Sequence, residues 1–218
     1  PDIPVHATNT AIVMEDGSEH DMFSLRGRSA TEHMRVDRPL SWILGGCFFA
    51  QTIVARRDLL IDVGLFRKTF YEDMDMFIRL AARAPWTVDV RRSLRLIRRP
   101  GEDLALSTIW RSKPVENFEA LARIHREALT SVARDEAEKQ MVREGLAANL
   151  FELGRALLAK GERARAKASF AESARHAPRM HSRMKARLAE NLGAAGLKLI
   201  DLLKPRRKGL YRSSAPTR

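Results

Sequence analysis

The sequence is poor in several residue types, and each shortage removes a class of protein. One cysteine, Cys47, stands in 218 residues, so neither an intrachain disulfide framework nor a thiolate zinc site can be built. That suits a reducing compartment. No apolar run reaches the roughly 18 residues that a bilayer span needs. Leu192 to Leu203 comes nearest and is broken by Lys198 and Asp201. No secretory leader opens the chain. It begins at Pro1, and Pro1 to Thr10 reads like mid-domain sequence, as expected of a piece of a longer protein. Aromatic residues are few, at 6%, and Trp42, Trp86 and Trp110 are expected in the core or at a domain edge. His6, His20, His33, His125, His176 and His181 show no metal-ligand spacing. What is present is a 44% hydrophobic composition, enough to bury a core and to exclude global disorder.

Charge divides the chain. Residues 1–110 hold 15 basic and 15 acidic side chains, whereas residues 111–218 hold 24 basic and 12 acidic ones, so the second half carries the whole net charge of +12. The two halves also differ in pattern. In the first, Asn9 to Met14 and Ser18 to Phe23 flank Asp16-Gly17, a tight-turn signature, and predict a β-hairpin. Leu25 to Arg38 reads as a loop or short helix. A strand is expected over Gln51 to Ala55, and a short helix from Arg57 to Val63 is closed by Gly64. Met74, Phe77, Ile78 and Ala81 trace a buried helical stripe from about Tyr71 to Ala84, ended by Pro85. Two strands, Trp86 to Val90 and Ser93 to Arg98, follow. Beyond Ser107 the periodicity is helical throughout: Asn117 to Val132, Asp135 to Lys160, Glu162 to Ala177 and Arg183 to Leu203. The expected organisation is an α/β region over 1–107, an all-α extension over 108–203 and a basic tail over 204–218.

The most telling stretch is Phe66 to Ala81, Phe-Arg-Lys-Thr-Phe-Tyr-Glu-Asp-Met-Asp-Met-Phe-Ile-Arg-Leu-Ala, with Val54-Ala55-Arg56-Arg57-Asp58-Leu59-Leu60-Ile61-Asp62-Val63-Gly64 before it. This order resembles the second half of a family-two glycosyltransferase catalytic domain. There, a strand ending in basic residues leads to a short helix closing in Val-Gly-Gly-Phe, and Glu-Asp-x-Asp opens the next helix. Leu65 replaces the second glycine. The resemblance covers roughly residues 5–107. It implies a GT-A-type α/β domain with a mixed sheet, acting on a nucleotide-sugar donor and a glycan, lipid-linked or cell-surface acceptor. It also implies a divalent metal, Mg or Mn, held by an Asp-x-Asp element. The only Asp-x-Asp here, Asp73-Met74-Asp75, lies in the helix-opening motif, so the metal ligands are expected upstream of residue 1.

The resemblance implies a role for each candidate residue. Inverting transfer needs a carboxylate beside the attacking hydroxyl, and it assigns that base to Asp73. Glu72 and Asp75 are candidate substrate-binding residues. Asp75 and Arg79 also form an i,i+4 acid–base pair, which favours a structural Asp75. Acids in a first helical turn otherwise serve the helix dipole. Gly45 and Gly46 precede the strand that lines the family's sugar and acceptor pocket, where glycine permits close approach; a plain turn fits equally. Pro100 stands where members of the family often carry a histidine, while Arg98 and Arg99 are candidate phosphate contacts or a solvated strand end. Cys47 reads as a small buried apolar residue.

In the second half, Leu153, Gly154, Ala166, Phe170 and Pro178 match tetratricopeptide spacing over about 149–178, with Ser173 in place of an alanine. No comparable match lies one period before or after, so an ordinary helix pair or a partner-binding hairpin is expected rather than a solenoid. The basic surplus suits anionic lipid headgroups at the inner face of the cell membrane, with Arg206, Arg207 and Lys208 as a cluster. Nucleic acid lacks a supporting motif, and a merely solvated surface remains open. The expected protein is a cytoplasmic enzyme fragment; the rival is a non-enzymatic helical interaction or membrane-surface module.

Overall fold

The computed structural model describes residues 3–13, 16–28, 33–97 and 112–203. It is a mixed α/β structure with a curled mixed sheet and a helical C-terminal region. The hairpin forms. β1 (Val5–Val13) pairs antiparallel with β2 (Glu19–Asp21), Val13 opposite Glu19. The turn between them uses Gly17 at φ +81°, and the Asp16 carboxylate accepts from the Ser18 amide at 2.9 Å, a local bond that favours turns. The second strand is shorter than expected. Asp21 is its last paired residue and also caps α1 (Met22–Leu25), accepting from the Ser24 amide.

β1 is the sheet's central strand. Along one edge it pairs antiparallel with β2 and, nearer its start, with β4 (Ile53–Ala55). Along the other it pairs parallel with β5 (Trp86–Ile97), which pairs antiparallel with β3 (Met34–Val36). Two expectations are corrected here. The segment Leu25 to Arg38 contains β3, and the two strands expected after Pro85 are one strand, β5, with register shifts opposite Thr8, Asn9 and Thr10. Side chains explain the irregularity. Asp89 accepts from the Arg91 amide at 2.8 Å, and Asn9 accepts from the amides of Thr10 and Phe23 at 2.8 and 3.2 Å. These bonds compete with the ladder, so the chain bulges and continues.

One sheet face, with Val5, Ala7, Trp86 and Val88, packs against α2 (Leu40–Leu44) and α4 (Glu72–Arg83). Phe23, Trp42, Phe48, Trp86 and Phe77 form a chain of ring contacts through this core. Between these helices, α3 (Arg57–Asp62) ends at Gly64, whose φ of +83° suits glycine.

The helices with described bounds that follow are α5 (Pro114–Ser131), α6 (Glu136–Ala159), α7 (Arg163–His176), α8 (Met180–Leu192) and α9 (Ala194–Leu203). Pro114 opens α5 at a position that needs no amide hydrogen. Asp135 caps α6 by accepting from the Glu138 amide. The single helix expected over Arg183 to Leu203 is two, broken at Gly193 with φ +52°. The α6–α7 hairpin packs as its spacing predicts: a Cβ on Gly154 would lie 2.6 Å from the Phe170 ring. Leu150, Leu153, Leu157, Ala166 and Phe170 join Val115, Ala122, Leu146, Ala189 and Ile200 in a second core. The first core draws Ile124, Ala128 and Val132 from α5 and its end, and Val142 from α6. The expected division near residue 107 lies outside the described residues.

Candidate active site

The loop from Val63 to Tyr71 and the first turn of α4 build the site. Three residues here have left-handed backbones: Gly64, Leu65 at φ +54° and Tyr71 at φ +57°. A non-glycine residue pays for that conformation, so the fold must hold the loop in place. Arg79 does so. Its guanidinium donates to the carbonyls of Val63 and Leu65 and to Asp75 Oδ2, from Nε at 3.1 Å and Nη2 at 2.9 Å. Leu65 takes the backbone that the resembled motif gives to glycine.

Asp75 is therefore a junction. Its side chain is 1% exposed. Oδ1 accepts from Arg123 Nη1 at 2.7 Å, and Arg67 Nη1 stands 3.6 Å away. Arg123 comes from α5 and also donates to Thr69 Oγ1 at 3.0 Å, so the helical region braces the loop before α4. Such a carboxylate has no free oxygen for a substrate, and the i,i+4 pair anticipated from the spacing is its innermost contact.

Asp73 differs in every respect. It is half-buried, and its Oδ1 accepts only from the neighbouring Met74 amide, at 2.7 Å. Among the described residues no cation pairs with it. Burial pushes its pKa up, the Met74 amide opposes this, and the charge on Glu72 adds to the rise. A carboxylate with a raised pKa and a free oxygen is a stronger base than a surface aspartate. Tyr71 precedes it; burial raises the phenol pKa, a hydrogen bond with Asn117 opposes that, and the Asp73 charge adds to the rise. Glu72 sits beside Asp73 in the same first turn, half-buried.

Gly45 and Gly46 end α2, which packs on α4. A Cβ on Gly45 would lie 2.9 Å from the Ser41 carbonyl, and Gly46 has φ +67°. Both glycines are thus required by the turn itself. Cys47 beside them is fully buried, and burial raises its thiol pKa. Arg98 and Arg99 lie outside the described residues, as does Trp110. No cluster of three or more His, Cys, Asp or Glu side chains able to hold a metal occurs among the described residues.

Sequence reasoning passed over one further polar group. Asp89, with a fully buried side chain, meets Arg91 Nη2 and Nε at 2.5 and 2.8 Å and His33 Nδ1 at 3.2 Å. These partners, Arg91 first, hold its carboxyl well below the usual range despite burial. The His6 and His33 rings lie 5.4 Å apart. The pairing of His33 with Asp89 follows from β3 register, which no local spacing displays.

Comparison with known proteins finds no matching family model, no matching curated protein and no matching solved structure. The site therefore rests on its own geometry.

Proposed function

We propose that the α/β region is the C-terminal part of a GT-A-type catalytic domain, in which Asp73 is the base of an inverting glycosyl transfer. The donor is a nucleotide sugar and the acceptor a hydroxyl of a glycan, lipid-linked or cell-surface molecule. The supporting observation is the contrast within one helical turn: Asp75 is consumed by Arg79, Arg123 and Arg67, whereas Asp73 meets no cation among the described residues and has a raised pKa. In this reading Asp73 takes the proton of the attacking hydroxyl as the new glycosidic bond forms, and the nucleoside diphosphate leaves with the electrons of the old one. Glu72 orients the acceptor. The Asp75 junction keeps the strained loop, and thus Asp73, in position. No step is routed through a metal.

The test is transfer by the longest natural form of the protein across several nucleotide sugars. Asp73→Asn should abolish turnover while circular dichroism stays native-like and the thermal transition is not lowered. Turnover that survives this substitution would falsify the assignment.

A second reading, a helical interaction module, has one observation in its favour. α6, α8 and α9 enclose a groove of about 410 Å³, whose lining includes Phe151, Pro178 and Leu197 beside Arg155 and Lys185. If that groove is the functional site, no nucleotide sugar is consumed and Phe151→Ala, rather than Asp73→Asn, disrupts function.

A further inference from the structure

The face of the sheet turned away from the first core carries side chains that the proposed transfer does not use. On β1 and β5 the core takes Val5, Ala7, Trp86 and Val88, so alternation turns His6, Thr87 and Asp89 the other way. Thr87 pairs with His6 on one side and with Arg35 on the other. His33 lies two residues before Arg35, on the same face. Strand pairing therefore brings together two histidines that are distant in the chain. Their rings lie 5.4 Å apart, inclined at 31°.

Hydrogen bonding fixes how His33 presents itself. Asp89 is fully buried and paired with Arg91. An ionised carboxylate only accepts, so the 3.2 Å contact of His33 Nδ1 with Asp89 Oδ2 puts the ring proton on Nδ1. The lone pair of the neutral ring is then on Nε2, away from Asp89, and the side chain is 57% exposed. A carboxylate behind an imidazole in this way orients the ring and makes it a stronger metal ligand. The His6 ring forms no hydrogen bond among the described residues. Two imidazoles that bind one ion at about 2.0–2.1 Å and near a tetrahedral angle have ring centres about 5 Å apart, close to the separation found. The neighbouring arginines are engaged, Arg91 with Asp89 and Arg35 with Asp37.

We propose that His6 and His33 bind a divalent transition-metal ion, with Asp89 as the carboxylate that orients His33. Imidazole suits zinc, nickel and copper, whereas magnesium and manganese prefer oxygen ligands. The site therefore takes a different class of ion from the one that the glycosyltransferase resemblance implies, and the inference is independent of the role of Asp73. Two protein ligands leave the other coordination positions to water, which agrees with the lack of any metal-holding cluster of three or more side chains among the described residues. An open shell of this kind makes the ion exchangeable, unlike the closed shell of a structural zinc.

The test uses the full chain, stripped of metal with a chelator and titrated with zinc chloride. Calorimetry should show one zinc ion per chain, and the ring NMR signals of His6 and His33 should move together. Nickel should bind as well, and magnesium should not. Asp89→Asn, with its folding checked by circular dichroism, should lower zinc affinity about 10–100-fold. His6→Ala and His33→Ala should each lower it at least as much, because each removes a ligand. Both leave the buried Asp89–Arg91 pair in place, so they read the site without removing a buried charge. His20→Ala, on β2 at the other end of β1, should change nothing. No zinc binding, zinc binding that survives His6→Ala or His33→Ala, or magnesium binding of equal strength would each overturn the proposal. So would an affinity unchanged by Asp89→Asn in the folded protein.

Discussion

The α/β and helical regions use the same residue types for opposite purposes. Carboxylates show it first. In the α/β region Asp75 and Asp89 are buried and held by arginines, whereas in the helical region pairs such as Arg126 with Glu172 lie at the surface, 46% and 25% exposed. Glycines show it again. Gly46 and Gly64 supply positive φ to turns, whereas Gly145 and Gly154 lie inside α6 because rings lie against them, His125 on one and Phe170 on the other. The lesson is that a sheet region joined by loops spends charge and glycine on shaping irregular backbone. Regular helices spend them on close packing and on the surface.

The largest expected effect tests the buried side of that comparison. Asp75→Ala strands the Arg79 guanidinium and unties the loop, which should cost about 3–5 kcal/mol in denaturant unfolding. A loss below about 1 kcal/mol would mean that the junction behaves like a surface pair. Next, Gly154→Ala forces a methyl group into the Phe170 ring and should cost about 1–3 kcal/mol; an unchanged midpoint would show that α6 and α7 can slide apart freely. A gain should come from Leu65→Gly. The side chain is 51% exposed, so little burial is lost, and relief of the left-handed backbone should stabilise by up to about 1 kcal/mol.

A pH-dependent change should follow at Asp73. Its pKa is raised on folding, so its contribution to stability is full below the ordinary aspartate value and is lost as pH rises through the folded value. Asp73→Asn should therefore raise the melting temperature at neutral pH, with the gain shrinking as the solution is acidified. A gain that instead grows on acidification would contradict burial as the cause. Smallest of all, Glu172→Gln should cost less than about 1 kcal/mol and less still in high salt. A salt-independent loss would place that pair with the buried ones.

Much of the fold was legible from local pattern. The stripe Met74, Phe77, Ile78 and Ala81 marks α4, Asp16-Gly17 marks the hairpin, and the helical pattern from Asp135 to Lys160 marks α6. The β3 strand was not legible, because three residues carry no period. The continuity of β5 was hidden as well, since Arg91-Arg92 looks like the break between two strands, whereas the chain bulges between Asp89 and Arg92 and continues as one. For the candidate site, the Glu72-Asp73-x-Asp75 cluster and the Asp75–Arg79 pair could be read from spacing. The reach of Arg123 across 48 residues to the same carboxylate could not.

The sequence by itself determined what depends on near neighbours: helix periods, caps, turn glycines, the split of charge between halves and the face on which each acid of α4 lies. Only the tertiary structure decided which of those acids is free. Asp73 and Asp75 are two residues apart and alike in chemistry. One is drawn into a cage of Arg79, Arg123 and Arg67 and the other is left half-buried with no cation among the described residues, because burial and long-range partners set a carboxylate's charge and neither is encoded in local spacing.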